Sequence, residues 1–134
     1  VTDPERPLVL VVEDSDAIRT AFTILLEESG YDVAAAPNGA EAVRLAAERA
    51  PDLVLLDLGL PDIPGVEVAR RIKASPETTR IPVVALTGRD DDGDREALRA
   101  AGCAAYLVKP VDTQALIRSL PGYIEGTQGA QPVG

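Results

Sequence analysis

The chain has no histidine and a single cysteine, Cys103, among its 134 residues. Without histidine there is no catalytic triad built on a His base and no His-ligated metal. One thiol cannot form an internal disulfide, which suits a reducing compartment, and a cytoplasmic location is the expectation. A bound metal would have to be a hard cation held by oxygen. Positive charge is also scarce. Thirteen Lys and Arg stand against 22 Asp and Glu, a net charge of −9. That balance repels a phosphate backbone, so no direct nucleic-acid contact is expected. No apolar run reaches the length of a transmembrane helix and no signal-peptide pattern opens the chain, so no membrane association is expected either.

What is present is ordinary for one globular domain with a single substantial core: 46% hydrophobic residues and 26% charged. Two periodicities alternate along it. Leu8 to Val12 is an aliphatic run, followed at helical spacing by Ile18, Phe22, Leu25 and Leu26 and then by Gly30, a helix stop. Tyr31 to Ala36 reads as a short strand. Asn38 stands three residues before Glu41, the spacing of an N-cap with a capping-box partner, ahead of Ala42, Leu45 and Ala46. Leu53 to Leu56 is a third strand, and Val66, Ala69 and Ile72 line a third helix. Ile81 to Leu86 is a fourth strand, Asp90 to Ala101 a fourth helix closed by Gly102, and Ala104 to Val108 a fifth strand. Thr113 to about Leu120 is a fifth helix, which Pro121-Gly122 should end early, because Pro removes a backbone donor.

Strands alternating with helices through short linkers predict parallel βαβ units. The three most apolar strands, the first, third and fourth, should be central and covered on both faces. The fold class is therefore α/β: a flavodoxin-like, doubly wound (βα)5 domain with a five-stranded parallel sheet in the order 2-1-3-4-5. Sites in such sheets form at the carboxyl ends of the strands, beside the switch point between the first and third.

The residues at those ends are chemically distinctive. The run DLVLLDLGLP drives four aliphatic residues into Asp57. Taken alone, Asp57 is a residue that starts a turn. The first strand, however, ends in Glu13-Asp14, so three carboxylates converge on one crevice. Two carboxylates about 5 Å apart repel by roughly 3 kcal/mol at an effective dielectric near 20. A divalent cation, Mg²⁺ or Mn²⁺, removes that repulsion; without one the acids would stay partly protonated. Lys109, ending the fifth strand, brings a point positive charge, and Thr87, ending the fourth, a hydroxyl donor. No GxxxxGK[ST] loop exists, and the acid-rich first turn repels a free phosphate but suits one arriving with a metal. Metal, lysine, hydroxyl and a carboxylate nucleophile are the parts needed to move a phosphoryl group onto Asp57, giving an aspartyl phosphate.

The residues VVEDS, DLGLPDIPG, LTG and YLVKP, in that order and each at the end of a predicted strand, resemble the receiver domain of two-component response regulators (the CheY-like family) over about residues 7 to 120. The resemblance implies that Asp57 is the phosphoacceptor and that Glu13, Asp14 and Asp57, with the backbone carbonyl of Gly59, hold the metal. It implies that Thr87 and Lys109 contact the phosphoryl group and that Tyr106 is the switch aromatic. A sensor histidine kinase or a histidine phosphotransfer protein would be the donor. A downstream effector or output domain would read the face made by the fourth helix, fifth strand and fifth helix. Residues 1–123 would be the receiver domain and 124–134 a tail or the start of a linker.

Two other readings compete. One is a phosphatase that passes through an aspartyl phosphate, but haloacid-dehalogenase-type enzymes need a DxD pair and Gly59 stands where the second acid belongs. The other is a degenerate receiver acting only as a docking module, against which the intact acids, Thr87 and Lys109 argue. Gly59 and Arg89 depart from the usual pattern, one opening the site to water and the other placing a cation near its entrance. Asp14 is expected both to cap the first helix and to bind metal, with Ser15 able to cap as well. Cys103 is expected to be an inert small apolar residue.

Overall fold

Five of the aliphatic runs are strands. In the computed structural model, which describes residues 6–88 and 92–125, they are β1 (Leu8–Val12), β2 (Asp32–Ala36), β3 (Leu53–Asp57), β4 (Val83–Thr87) and β5 (Ala105–Val108). They pair in parallel in the order β2-β1-β3-β4-β5, as the alternating pattern predicts. The connecting helices are α1 (Asp16–Glu28), α2 (Gly39–Arg49), α3 (Gly65–Ala74) and α4 (Asp92–Ala100), and α5 (Thr113–Glu125) follows the last strand. Arg89, the first two residues of the Asp90–Asp92 run, and the tail 126–134 lie outside the described residues.

The central strands are apolar throughout because each alternate side chain enters a different core. Leu8, Leu10 and Val12 of β1, with Val54 and Leu56 of β3, pack against Ala42 and Ala46 of α2 and Val68, Ala69 and Ile72 of α3. Val9, Val11, Leu53 and Leu55 face the other way, onto Leu26 of α1 and Leu116 and Leu120 of α5. Strand side chains alternate faces, so a strand covered on both sides has no solvent-facing position until it ends. Leu10, Leu55 and Leu56 are fully buried, where truncating any one to Ala costs about 2–5 kcal/mol.

Helix boundaries follow local chemistry with three exceptions. Gly30 and Gly102 adopt φ of 101° and 90°, and each closes a paired C-terminal turn. In the first, the Tyr31 amide reaches the Leu26 carbonyl; in the second, the Cys103 amide reaches that of Leu98. The first exception is the cap of α1. Ser15, not Asp14, fills it, its hydroxyl accepting from the Ile18 amide at 3.3 Å, which leaves the Asp14 carboxylate outside the helix. Second, Asn38 does accept from the Glu41 amide at 2.9 Å, but the Glu41 side chain pairs with Arg44, so only the Asn38 half of the capping box has formed. Third, α5 runs through Pro121 to Glu125 rather than stopping there. Pro121 is exposed, while Leu120 and Tyr123 are buried and Ile124 packs against the same core. That burial offsets the cost of about 3 kcal/mol for Pro in a helix interior.

Candidate functional site

The carboxyl ends of β1, β3, β4 and β5 meet where the chain leaves β1 for α1 and β3 for α3. Glu13 is buried one residue past β1, its amide still on the β2 ladder through the Ala36 carbonyl at 3.0 Å. Its Oε2 accepts from the Ser15 amide at 2.9 Å, and Arg19 Nη1 donates to its backbone carbonyl at 2.8 Å. Asp14, next in sequence, is exposed. Asp57 ends β3 on the pleat that carries Leu53 and Leu55, and only 5% of its surface is exposed. Its Oδ1 accepts from the Gly59 amide at 3.1 Å and from Lys109 Nζ at 2.9 Å. Carboxylate oxygens of Glu13, Asp14 and Asp57 all lie within 4.8 Å of one another.

The ladders hold these groups in place. Beyond β3 the Leu58 amide reaches the Leu86 carbonyl, and beyond β5 the Lys109 amide reaches the Thr87 carbonyl. Thr87 is buried as the last residue of β4. It pairs with Val108, as Ala85 does with Tyr106, so Thr87 and Tyr106 share one face of the sheet. Tyr106 is half-buried against a cavity of about 150 Å³ that Arg95, Leu98, Arg99 and Cys103 also line.

The electrostatics match a crowded acidic crevice. Burial pushes the Glu13 carboxyl up to about 7, and its hydrogen bond to Asp57 adds to the rise. Burial also opposes ionisation of Asp57, yet its carboxyl is held below the usual range by Glu13, the Gly59 amide and Lys109. Near neutral pH any proton the pair retains therefore sits on Glu13, which is about half protonated there, and Asp57 is ionised. Burial pushes the Cys103 thiol up to about 11, which keeps it unreactive, as expected of a packed cysteine.

Three contacts had no signal in the sequence. The Arg19 brace on Glu13 joins a side chain to a carbonyl, and Asp62 accepts from two backbone amides of α2. A Cβ on Gly65 would lie 2.6 Å from the Leu58 Cα. In each case at least one partner is backbone, which carries no sequence signature.

Residues 9–121 match the family described as the response regulator receiver domain. The polar-differentiation response regulator DivK of Brucella anthropi is 40% identical over 116 residues, 87% of this chain and 94% of that protein. Its counterpart in Brucella abortus is 39% identical over the same span. Among solved structures, the receiver domain of the Pseudomonas aeruginosa sensor histidine kinase PA1611 is described with magnesium coordinated in its active-site cleft. It aligns with a TM-score of 0.82 at 35% identity, over 90% of this chain and 98% of that one. The chemotaxis protein CheY4 of Vibrio cholerae aligns with a TM-score of 0.82 at 28% identity, over 87% and 97%. Among the described residues no helix is long and apolar enough to cross a membrane. By sequence, strand order and acidic crevice alike, this chain belongs to the receiver domains of two-component response regulators.

Proposed function

We propose that Asp57 accepts a phosphoryl group from a phosphohistidine and that the resulting aspartyl phosphate switches partner binding. The observation that carries this reading is the buried Asp57 carboxylate, kept ionised, bonded to Lys109 and set among the Glu13 and Asp14 oxygens. An ionised carboxylate is already a nucleophile and needs no base. One Asp57 oxygen attacks phosphorus in line; the phosphorus–nitrogen bond breaks, and its electron pair leaves with the donor imidazole. Charge then gathers on the phosphoryl oxygens, and Lys109 exchanges its contact with Oδ1 for one of them.

Glu13, Asp14, Asp57 and the Gly59 carbonyl are the ligands we assign to Mg²⁺ or Mn²⁺. The hard-oxygen donor set and the proton that Glu13 otherwise retains both fit a divalent cation. Such an ion, when bound, neutralises the acids and offsets charge on the phosphoryl oxygens. Catalysis in this reading is confined to the domain's own phosphorylation and hydrolysis. For the donor, a sensor kinase or phosphotransfer protein, α1 offers an apolar strip with Ile18 45% and Ile24 51% exposed. Ile18 and Phe22 continue that strip into a cleft shared with Glu13 and Lys109.

Acetyl phosphate with Mg²⁺ is expected to add one phosphoryl group to the wild type, seen by intact mass and removed by hydroxylamine. Asp57→Asn should take up none. Label that persists in Asp57→Asn would refute the assignment, and an unlabelled wild type would leave a docking module.

Transmission to a partner is assigned to Thr87 and Tyr106. New acceptor oxygens on Asp57 would draw the Thr87 hydroxyl inward, and Tyr106 would turn into the space beneath α4. The face of α4, β5 and α5 then changes shape, which requires only a few kcal/mol of bias between two packings. Thr87→Ala is accordingly expected to label on Asp57 yet lose the amide-shift response of residues 92–120 to a phosphoryl mimic. A response as complete as that of the wild type would return Thr87 to a plain strand end.

A further inference from the structure

The loop between β3 and α3 carries Gly59, whose amide holds Asp57 Oδ1 at 3.1 Å, and it ends at Pro64. Along it Leu60 and Ile63 pack on the core, but two of its residues are prolines, Pro61 and Pro64, which offer no amide donor. Its polar anchor is Asp62. The Asp62 carboxylate spans the start of α2, Oδ1 accepting from the Gly39 amide at 2.8 Å and Oδ2 from the Ala40 amide at 3.0 Å. Beside this clamp the loop sits against bare backbone: a Cβ on Gly39 would lie 3.1 Å from the Ile63 Cβ and 2.8 Å from Val68 Cγ2. The two amides hold the Asp62 carboxyl below its ordinary range, so it is ionised at neutral pH.

We propose that Asp62 is a positioning residue of the phosphorylation site: by latching its loop to the rigid start of α2, it sets where Gly59 presents its amide to Asp57 and its carbonyl to the metal. The inference rests on the metal reading above. Its physical basis is that a ligand held in place before binding loses less freedom when the ion arrives. The start of α2 has a second cap, because Asn38 accepts from the Glu41 amide in a bond that involves no atom of the loop. Helix capping and loop latching are thereby separable.

Asp62→Ala and Asn38→Ala should both lower the melting temperature, since each leaves helix amides without their cap. Only Asp62→Ala should also speed hydrogen exchange at the Gly59 amide in the metal-free protein. The same variant should raise the Mg²⁺ midpoint of an amide-shift titration by roughly three- to tenfold, less than the 10- to 100-fold typical of a residue that touches a ligand directly. Asp62→Asn keeps one acceptor oxygen, should fall between, and serves if the alanine variant does not fold. Equal Gly59 exchange and equal Mg²⁺ midpoints in Asp62→Ala and Asn38→Ala would reduce Asp62 to a helix cap and overturn the proposal. A wild type with no Mg²⁺ response would instead overturn the metal reading, and with it this use of the loop.

Discussion

In the absence of divalent cations the protein should lose stability as pH rises from about 5 to about 7.5, and millimolar Mg²⁺ should abolish most of that loss. The cause is Glu13, whose carboxyl rises from 4.5 to about 7 on burial beside Asp57. Between those values the native chain binds a proton that the unfolded chain has released, so raising the pH favours unfolding. The stabilising contribution is complete below the unfolded value and is gone once pH has passed the folded one. Its full extent is about 3 kcal/mol, of order 10 °C in melting temperature for a chain of this size. Asp57 works in the opposite sense: its carboxyl lies below 3.8, so its contribution is lost only in stronger acid and does not bend the profile above pH 5. Glu13→Gln keeps an oxygen for the Ser15 amide and removes the proton, and should flatten the profile. Asp57→Asn should raise the metal-free melting temperature at pH 8 by relieving the repulsion on Glu13, with less effect at pH 5. Thermal melts across pH, with and without Mg²⁺, measure all of this. A level metal-free profile would mean that the three acids do not share one crevice.

The topology was legible because a doubly covered sheet imposes a pattern that a sequence cannot avoid. Leu53 to Leu56 has no polar position to spare, so the run announces both its own burial and the abruptness of Asp57. The gathering of the candidate residues at the strand ends was legible for the same reason. Each strand end is a place where side chains stop being core, and the change from Val12 to Glu13, or from Val108 to Lys109, marks it. Order along the sheet then put Glu13 next to Asp57, and the expected partial protonation of crowded acids agrees with the raised Glu13 carboxyl, though which acid takes the proton was not legible.

What stayed hidden depends on backbone or on tertiary burial. Pro121 is a strong local stop signal, yet Tyr123 and Ile124 pack beyond it, and the core outweighs local preference. Ser15 and Asp14 are equally good caps by composition; only the geometry of the turn decides between them, and it frees Asp14 for the crevice. Asp62 reads as a loop acid between two prolines until the start of α2 is seen beneath it.

Gly65→Ala is expected to cost more function than its single added methyl suggests. Gly65 is buried as the first residue of α3, and a Cβ there would lie 2.6 Å from both Cα and Cδ2 of Leu58. The Leu58 side chain can rotate away, but its Cα cannot. It lies between Asp57 and Gly59, and the Leu58 amide is bonded to the Leu86 carbonyl at 3.0 Å. The methyl must therefore push apart α3 and the segment that bears Asp57. Overpacking of this kind costs about 1–3 kcal/mol of stability. The larger effect is positional, because a reacting group misplaced by about 1 Å loses on the order of 100-fold in rate. Gly65→Ala should remain folded by circular dichroism, melt earlier, and label with acetyl phosphate about 100-fold more slowly than the wild type. Gly88→Ala is the matched control at the end of β4, since no described atom lies within 4 Å of a Cβ there, and it should label normally. Should Gly65→Ala melt earlier but label at the wild-type rate, the β3–α3 junction yields without moving Asp57, and the close approach of α3 to Leu58 serves packing alone.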